Sequence, residues 1–160
     1  LGSRHPSISP FESYKCKDNY IVIAAGNDTL FKKLCSAIGA KNIKENSFFS
    51  TNDLRLRYAD KLKVQIENIL LKKNTKYWIK TIEKYGVPVG KVNNIKEVFD
   101  LKQIKARNML VDVSLNKKNK IKLAGNPIKM SGFTDFKVRK KPPKLNENKT
   151  AILKEFKIKY

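Results

Sequence analysis

The stretch that most constrains the fold of this chain is "YIVIAAGNDTLFKKLCSAIG", residues 20–39. Its first five residues are rich in β-branched and aromatic side chains, which suit a half-buried pleated surface. Gly26-Asn27-Asp28 then interrupts the strand. Asn27 or Asp28 supplies a helix cap, Leu30, Phe31, Leu34, Cys35 and Ile38 recur at helical spacing, and Gly39 stands where a left-handed residue closes a helix. Upstream, "FESYKC" is joined to this run by the turn-like Lys17-Asp18-Asn19, so a hairpin feeding a helix is expected.

The same reading extends along the chain. Residues 1–10, "LGSRHPSISP", hold two prolines and three serines with little apolar periodicity and read as a linker. After the loop with Phe48 and Phe49, Thr51, Asn52 and Asp53 offer caps for a helix striped with Tyr58, Leu62, Ile66, Ile69 and Leu70. A further helix from about Thr75 turns Trp78, Ile82 and Tyr85 inward and stops at Gly86. Pro88 holds the next residues extended, and Gly90 is expected to adopt a backbone conformation barred to other residues, making "GVPVG" a buried structural crossing between helices. Asn94 caps a helix whose Ile95, Val98, Phe99, Ile104 and Met109 look inward.

"LVDVSL" and "KIKLAG" form a second hairpin across Asn116–Asn119. Beyond Asn126, three prolines break regular structure until a final helix near Asn148–Phe156. These elements predict an α+β fold: a small antiparallel sheet built from two hairpins, several packed helices, and extended N- and C-terminal segments.

Charge narrows the function classes less than its size suggests. The chain of 160 residues carries 35 Lys+Arg against 14 Asp+Glu, a formal net charge of +21. That favours anionic partners in general. However, the basic residues are mostly Lys, they are scattered along the whole chain, and only Arg4, Arg55, Arg57, Arg107 and Arg139 offer bidentate forks. Nucleic acid is therefore not the expected partner.

The longest apolar run, Ile21 to Ala25, is far shorter than the ~20 residues of a membrane span, and the first residues lack the apolar core of a signal peptide. Cys16 and Cys35 have no metal-ligand spacing and fit buried thiols in a reducing compartment. No metal site is expected, and the location is expected to be cytoplasmic. The first residue is Leu1 and not Met, which accords with a piece of something longer.

At this point the motifs resemble a known family. "HPSISPFESYKCKDNYIVIAAGND", "FFSTNDLRLRYAD", "GVPVGKVNNIKEVFDLKQIKARNML", "GNPIKMS" and "PPKLNENKTAIL" occur in an order and spacing similar to the C-terminal part of the family III CoA-transferases. That group includes formyl-CoA transferase, carnitine CoA-transferase and the α-methylacyl-CoA racemases.

The resemblance implies that residues 11–125 are the small domain of such an enzyme, that 1–10 link to it, and that 126–160 return the chain to a larger Rossmann-like domain. It also implies that CoA and acyl-CoA are substrates of the complete enzyme, that this chain alone binds no cofactor, and that the partner is a large-domain chain or a second copy in an interlocked homodimer. The family's nucleophile is an Asp carboxylate that attacks the thioester carbonyl, splitting acyl transfer into easier steps; nothing here matches its surroundings. Asp18, Asp28, Asp53, Asp60, Asp100, Asp112 and Asp135 all read as turn, cap or exposed positions, and His5 lies in the linker, so no catalytic residue is assigned.

Gly26, Asn27 and Asp28 are the residues that the resemblance turns towards the acyl group. The resemblance implies a Glu for proton transfer at the matching place in the racemase branch; "AAGND" is more like the transferases, and the competing reading of Asp28 is a plain helix cap whose stabilised carboxylate makes a poor base. The family's usual L-G-E-H-T is replaced by Leu145-Asn146-Glu147-Asn148-Lys149-Thr150. Three readings therefore stand: a CoA-transferase fragment inactive alone, a remnant without activity, and a basic nucleic-acid-binding module.

Overall fold

The structure is a computed structural model describing residues 2–116 and 118–158. The chain divides into two compact units, Leu1–Val92 and Asn93–Tyr160.

In the first unit, β1 (Phe11–Lys15) pairs antiparallel with β2 (Tyr20–Ala24), and β3 (Val89–Lys91) adds to the far edge of β2. Alternate residues Tyr14, Ile21 and Ile23 are buried, as the period of two requires of a sheet covered on one face. Helix α1 (Asp28–Ala37) follows β2 directly, and α2 (Lys41–Lys44) and a 3₁₀ turn at Ser47–Phe49 lead to α3 (Asn52–Arg57), α4 (Ala59–Leu70) and α5 (Thr75–Glu83). Phe31, Leu34, Ile43, Leu62, Ile66, Trp78 and Ile82 share one apolar core with the sheet.

The stretch after Thr51 is two helices and not one, because Tyr58 leaves helical dihedrals at φ −108° and ψ 27°. Gly39 and Gly86 both have positive φ, as their helix-ending places demand. Tyr85, expected inward, is exposed because α5 ends before it.

Gly90 departs from expectation. It lies within β3 opposite Val22, its φ is not positive, and a Cβ added to it would meet nothing within 4 Å. The uncharged loop is therefore no buried helix-to-helix crossing. Val87 is buried, whereas Gly86, Pro88 and Gly90 are exposed. The Pro88 carbonyl accepts the Ala24 amide at 3.0 Å, and the residues beyond it extend the sheet. Absence of charge suits backbone that enters a ladder beside an apolar core.

Residues 2–10, read as a linker, are fastened to this unit. Arg4 Nε donates to Glu12 Oε1 at 2.9 Å, Ser3 and Ser13 hydroxyls are 2.6 Å apart, and Ser9 and Pro10 are buried.

In the second unit, helices α6 (Ile95–Asp100) and α7 (Lys102–Ala106) precede β4 (Leu110–Ser114), β5 (Lys120–Ala124), β6 (Val138–Lys140) and α8 (Lys149–Glu155). Asn94 caps α6 in a full capping box with Glu97. The α+β class holds, but the two hairpins occupy separate sheets, and the second sheet is mixed, with β6 parallel to β4.

The inward stripe expected of α6 and α7 is not buried: neither helix has a buried residue, and Ile95 is 70% exposed. Among the described residues of this unit, Val111 and Val113 of β4 are the only large apolar side chains that reach burial, which leaves α6 and α7 no apolar layer deep enough to enclose their stripe. Lys117, in the expected Asn116–Asn119 turn, lies outside the described residues, as do Leu1, Lys159 and Tyr160.

Candidate functional site

The turn between β2 and α1 is exposed at Gly26, Asn27 and Asp28, directly beyond the buried Ala25. Asn27, and not Asp28, is the cap: its φ of −149° is extended and its side-chain oxygen accepts from the Leu30 amide at 2.8 Å. Asp28 is the first helical residue, where a negative charge also complements the helix dipole. Its carboxylate is then free to reach sideways. Oδ1 accepts from Arg55 Nη2 at 2.7 Å.

Arg55 is the residue that sequence reasoning missed. Its side chain is 0% exposed while that of Asp28 is 54% exposed, so the pair joins a buried cation to a surface anion. Nε donates to the Ser9 carbonyl at 2.7 Å and Nη1 to the Phe49 carbonyl at 3.0 Å. The guanidinium carbon stands 4.5 Å from the centroid of Phe31. One planar fork thus meets three segments, and its flat face is covered by an aromatic ring.

A second clamp supports the first. Asn52 accepts from the Ser9 amide at 3.0 Å through Oδ1 and donates to the Ser7 carbonyl at 3.0 Å through Nδ2. The Ala25 amide donates to the Pro10 carbonyl at 2.9 Å, so the N-terminal segment runs beside the turn and is held from both sides. Only the sequence separations of 27 and 46 residues hid this from a one-dimensional reading.

The strongly partnered carboxylates of the chain are each committed. Buried Glu12 lies between Arg4 and Lys63, with contacts of 2.9 and 2.7 Å. Asp18 accepts from the Thr75 amide and hydroxyl, and this hydrogen bonding holds its carboxyl below the usual range. Asp135 is lowered by Lys129 and Asn108, and Glu147 by the Lys144 amide and Lys141. Asp18, Asp135 and Glu147 are thereby stabilised as anions, and all four groups are spent on structure. His5 stacks on Phe11 with centroids 5.2 Å apart, within the fastened N-terminal segment. Cys16 and Cys35 are free and buried.

Gly86, Pro88 and Gly90 lie on the β3 side of the sheet and carry no side-chain chemistry. Among the described residues, no group of three or more His, Cys, Asp or Glu is placed to hold a metal ion. No helix among them is long and apolar enough to cross a membrane.

Comparison with known proteins agrees with this layout. An acetyl-CoA:oxalate CoA-transferase from Acetobacter aceti is 40% identical over 156 residues, which is 98% of this chain and 39% of that protein. A human succinyl-CoA:glutarate CoA-transferase is 32% identical over 154 residues, 96% of this chain and 35% of its own length. A crystal structure of a CAIB/BAIF family protein from Brucella suis superposes with a TM-score of 0.75 at 32% identity, covering 97% of this chain and 39% of that one. The chain therefore spans well under half the length of the relatives it matches. The family model described as CoA-transferase family III matches residues 1–149, and the chain belongs to that family.

Proposed function

We propose that these residues are the C-terminal, small-domain part of an enzyme that transfers CoA between carboxylic acids, and that they have no activity on their own. The observation that carries this reading is the family match over residues 1–149, combined with a span of 39% of the Acetobacter relative. The commitment of Glu12, Asp18, Asp135 and Glu147 to structural partners supports the second half, since a nucleophile must be free to attack a thioester carbonyl. On this reading the nucleophile, and most of the groups that hold CoA, come from outside these 160 residues.

Gly26, Asn27 and Asp28 face the acyl group, as an exposed turn on a rigid strand-helix junction suits such a place. A dicarboxylate is the fitting acceptor class, since the named activities of relatives include oxalate and glutarate. The remainder of the enzyme, or a second copy, covers the apolar face of the C-terminal unit. There Ile128, Met130, Phe133, Phe136 and Val138 line an open groove of about 640 Å³, and Phe133 is 73% exposed. Contiguous exposed apolar surface of this kind marks an interaction site.

Thioester exchange tests the reading. With acetyl-CoA and oxalate, or succinyl-CoA and glutarate, the isolated chain is expected to stay at the no-protein background. The complete enzyme is expected to turn over. Turnover by the isolated chain that Asp28→Asn abolishes would overturn the proposal.

A further inference from the structure

The Arg55 fork joins three segments that are remote in sequence: the N-terminal segment at Ser9, the 3₁₀ turn at Phe49, and the start of α1 at Asp28. A fully buried guanidinium is expensive to desolvate, and it is retained here with a donor on each of three acceptors and a ring against its face. Two of those acceptors, the Ser9 and Phe49 carbonyls, need only a donor. Asp28 is different. It is half exposed and already sits favourably in the first turn of α1, so it would be stable there without a buried partner.

What the pair adds is orientation. With Oδ1 bound to Nη2, the Asp28 side chain can no longer sample its rotamers, while Oδ2 has no hydrogen bond from any described residue. Rigid placement of an exposed group by a buried one is how a site is held within the ~0.5 Å that productive geometry requires. We infer that Arg55 is a positioning residue, which fixes the Asp28 carboxylate and the Gly26-Asn27 backbone as one rigid edge for the thioester substrate. This rests on the reading of the turn as acyl-facing.

The inference separates Arg55 from an ordinary core clamp. A clamp that served only stability would be replaceable by any change of equal cost elsewhere. Arg55 would not be. Arg55→Lys keeps the charge but offers a point donor where a fork is needed, so it reaches one acceptor and releases the others.

Two measurements decide it. On the chain itself, ¹⁵N relaxation of Arg55→Lys is expected to lower the order parameters of Gly26, Asn27 and Asp28 from about 0.85 to below about 0.6, with Leu62 and Ile66 unchanged. Arg55→Met serves as the second, charge-free variant if it folds. In the complete enzyme, Arg55→Lys is expected to lose kcat at least tenfold with KM within threefold. Thr75→Val, which removes the Thr75 hydroxyl bond to Asp18 at the opposite end of the β1–β2 hairpin, serves as the control for lost stability and is expected to keep kcat within twofold.

A rigid turn in a folded Arg55→Lys protein would overturn the inference, as would equal losses of kcat in Arg55→Lys and Thr75→Val. Addition of acetyl-CoA to the parent enzyme keeps the two ideas apart. If the amides of residues 26–28 gain no protection from hydrogen exchange, the acyl-facing reading fails whatever Arg55 does to the turn.

Discussion

The indole N–H of Trp78, on α5, donates to the carbonyl oxygen of Leu70, the last residue of α4, at 2.7 Å inside the core. The last carbonyls of a helix have no partner within it. Here the chain's one tryptophan adds a short bond to the 3.3 Å bond from the Lys73 amide, so the α4–α5 corner is fixed by a directional bond as well as by apolar contact. Trp78→Phe would keep most of the buried area and leave the Leu70 carbonyl only the longer bond from Lys73. The expected cost is about 0.5–1.5 kcal/mol, read from urea unfolding followed by circular dichroism. A midpoint equal to the parent's would show that the Lys73 amide alone satisfies Leu70.

Gly86 and Gly90 should respond oppositely to alanine. At Gly86 φ is +70° with open space around it, so a Cβ meets a torsional penalty alone, and Gly86→Ala should destabilise by about 1–2 kcal/mol. At Gly90 the conformation is that of an ordinary strand, also with open space. Gly90→Ala should therefore leave stability unchanged or raise it by up to about 1 kcal/mol. Thermal melts of the two variants beside the parent check the sign of each.

Burial pushes the Cys16 thiol up to about 11 and the Cys35 thiol up to about 12. The folded state thus favours the neutral thiols. Their contribution to stability is fully present below the ordinary thiol value of about 8.5, and it is lost as pH rises through 11 to 12. At pH 8 a disulfide reagent should label the native protein no faster than it unfolds, and both thiols at once in denaturant. Rapid labelling of the native chain would contradict the buried placement.

Asp18 titrates in the other direction. Its carboxyl is lowered chiefly by the Thr75 amide, which donates to Oδ1 at 2.8 Å. A group lowered by folding contributes stability above its ordinary value of about 3.9, and that contribution disappears as pH falls through the folded value. Asp18→Asn should therefore flatten the acid limb of the stability curve below pH 4 and leave the shape above pH 5 unaltered. Parallel acid limbs for variant and parent would refute the assignment.

In the C-terminal unit, the sequence already contains the exposed surface on which the proposed function depends. Ile128, Met130, Phe133, Phe136, Ile152 and Phe156 are apolar residues interspersed with prolines and lysines, in a segment without a sustained period. In the structure these six are exposed.

Sequence alone determined what is local. The β-branched run Tyr20–Ala24 makes β2, Asn27, Thr51 and Asn94 make caps, and Gly39 and Gly86 end helices, because each depends on contacts within a few residues. The motifs that resemble CoA-transferase family III were legible in the same way, as words in a fixed order. What tertiary structure decided is everything that joins distant segments. It set Gly90 into the edge of a sheet, divided the hairpins between two sheets, and buried Arg55 against Ser9 and Asp28. No periodicity encodes such pairings: a strand chooses its neighbour, and a buried charge its partners, only among the acceptors that the folded chain brings within about 3 Å.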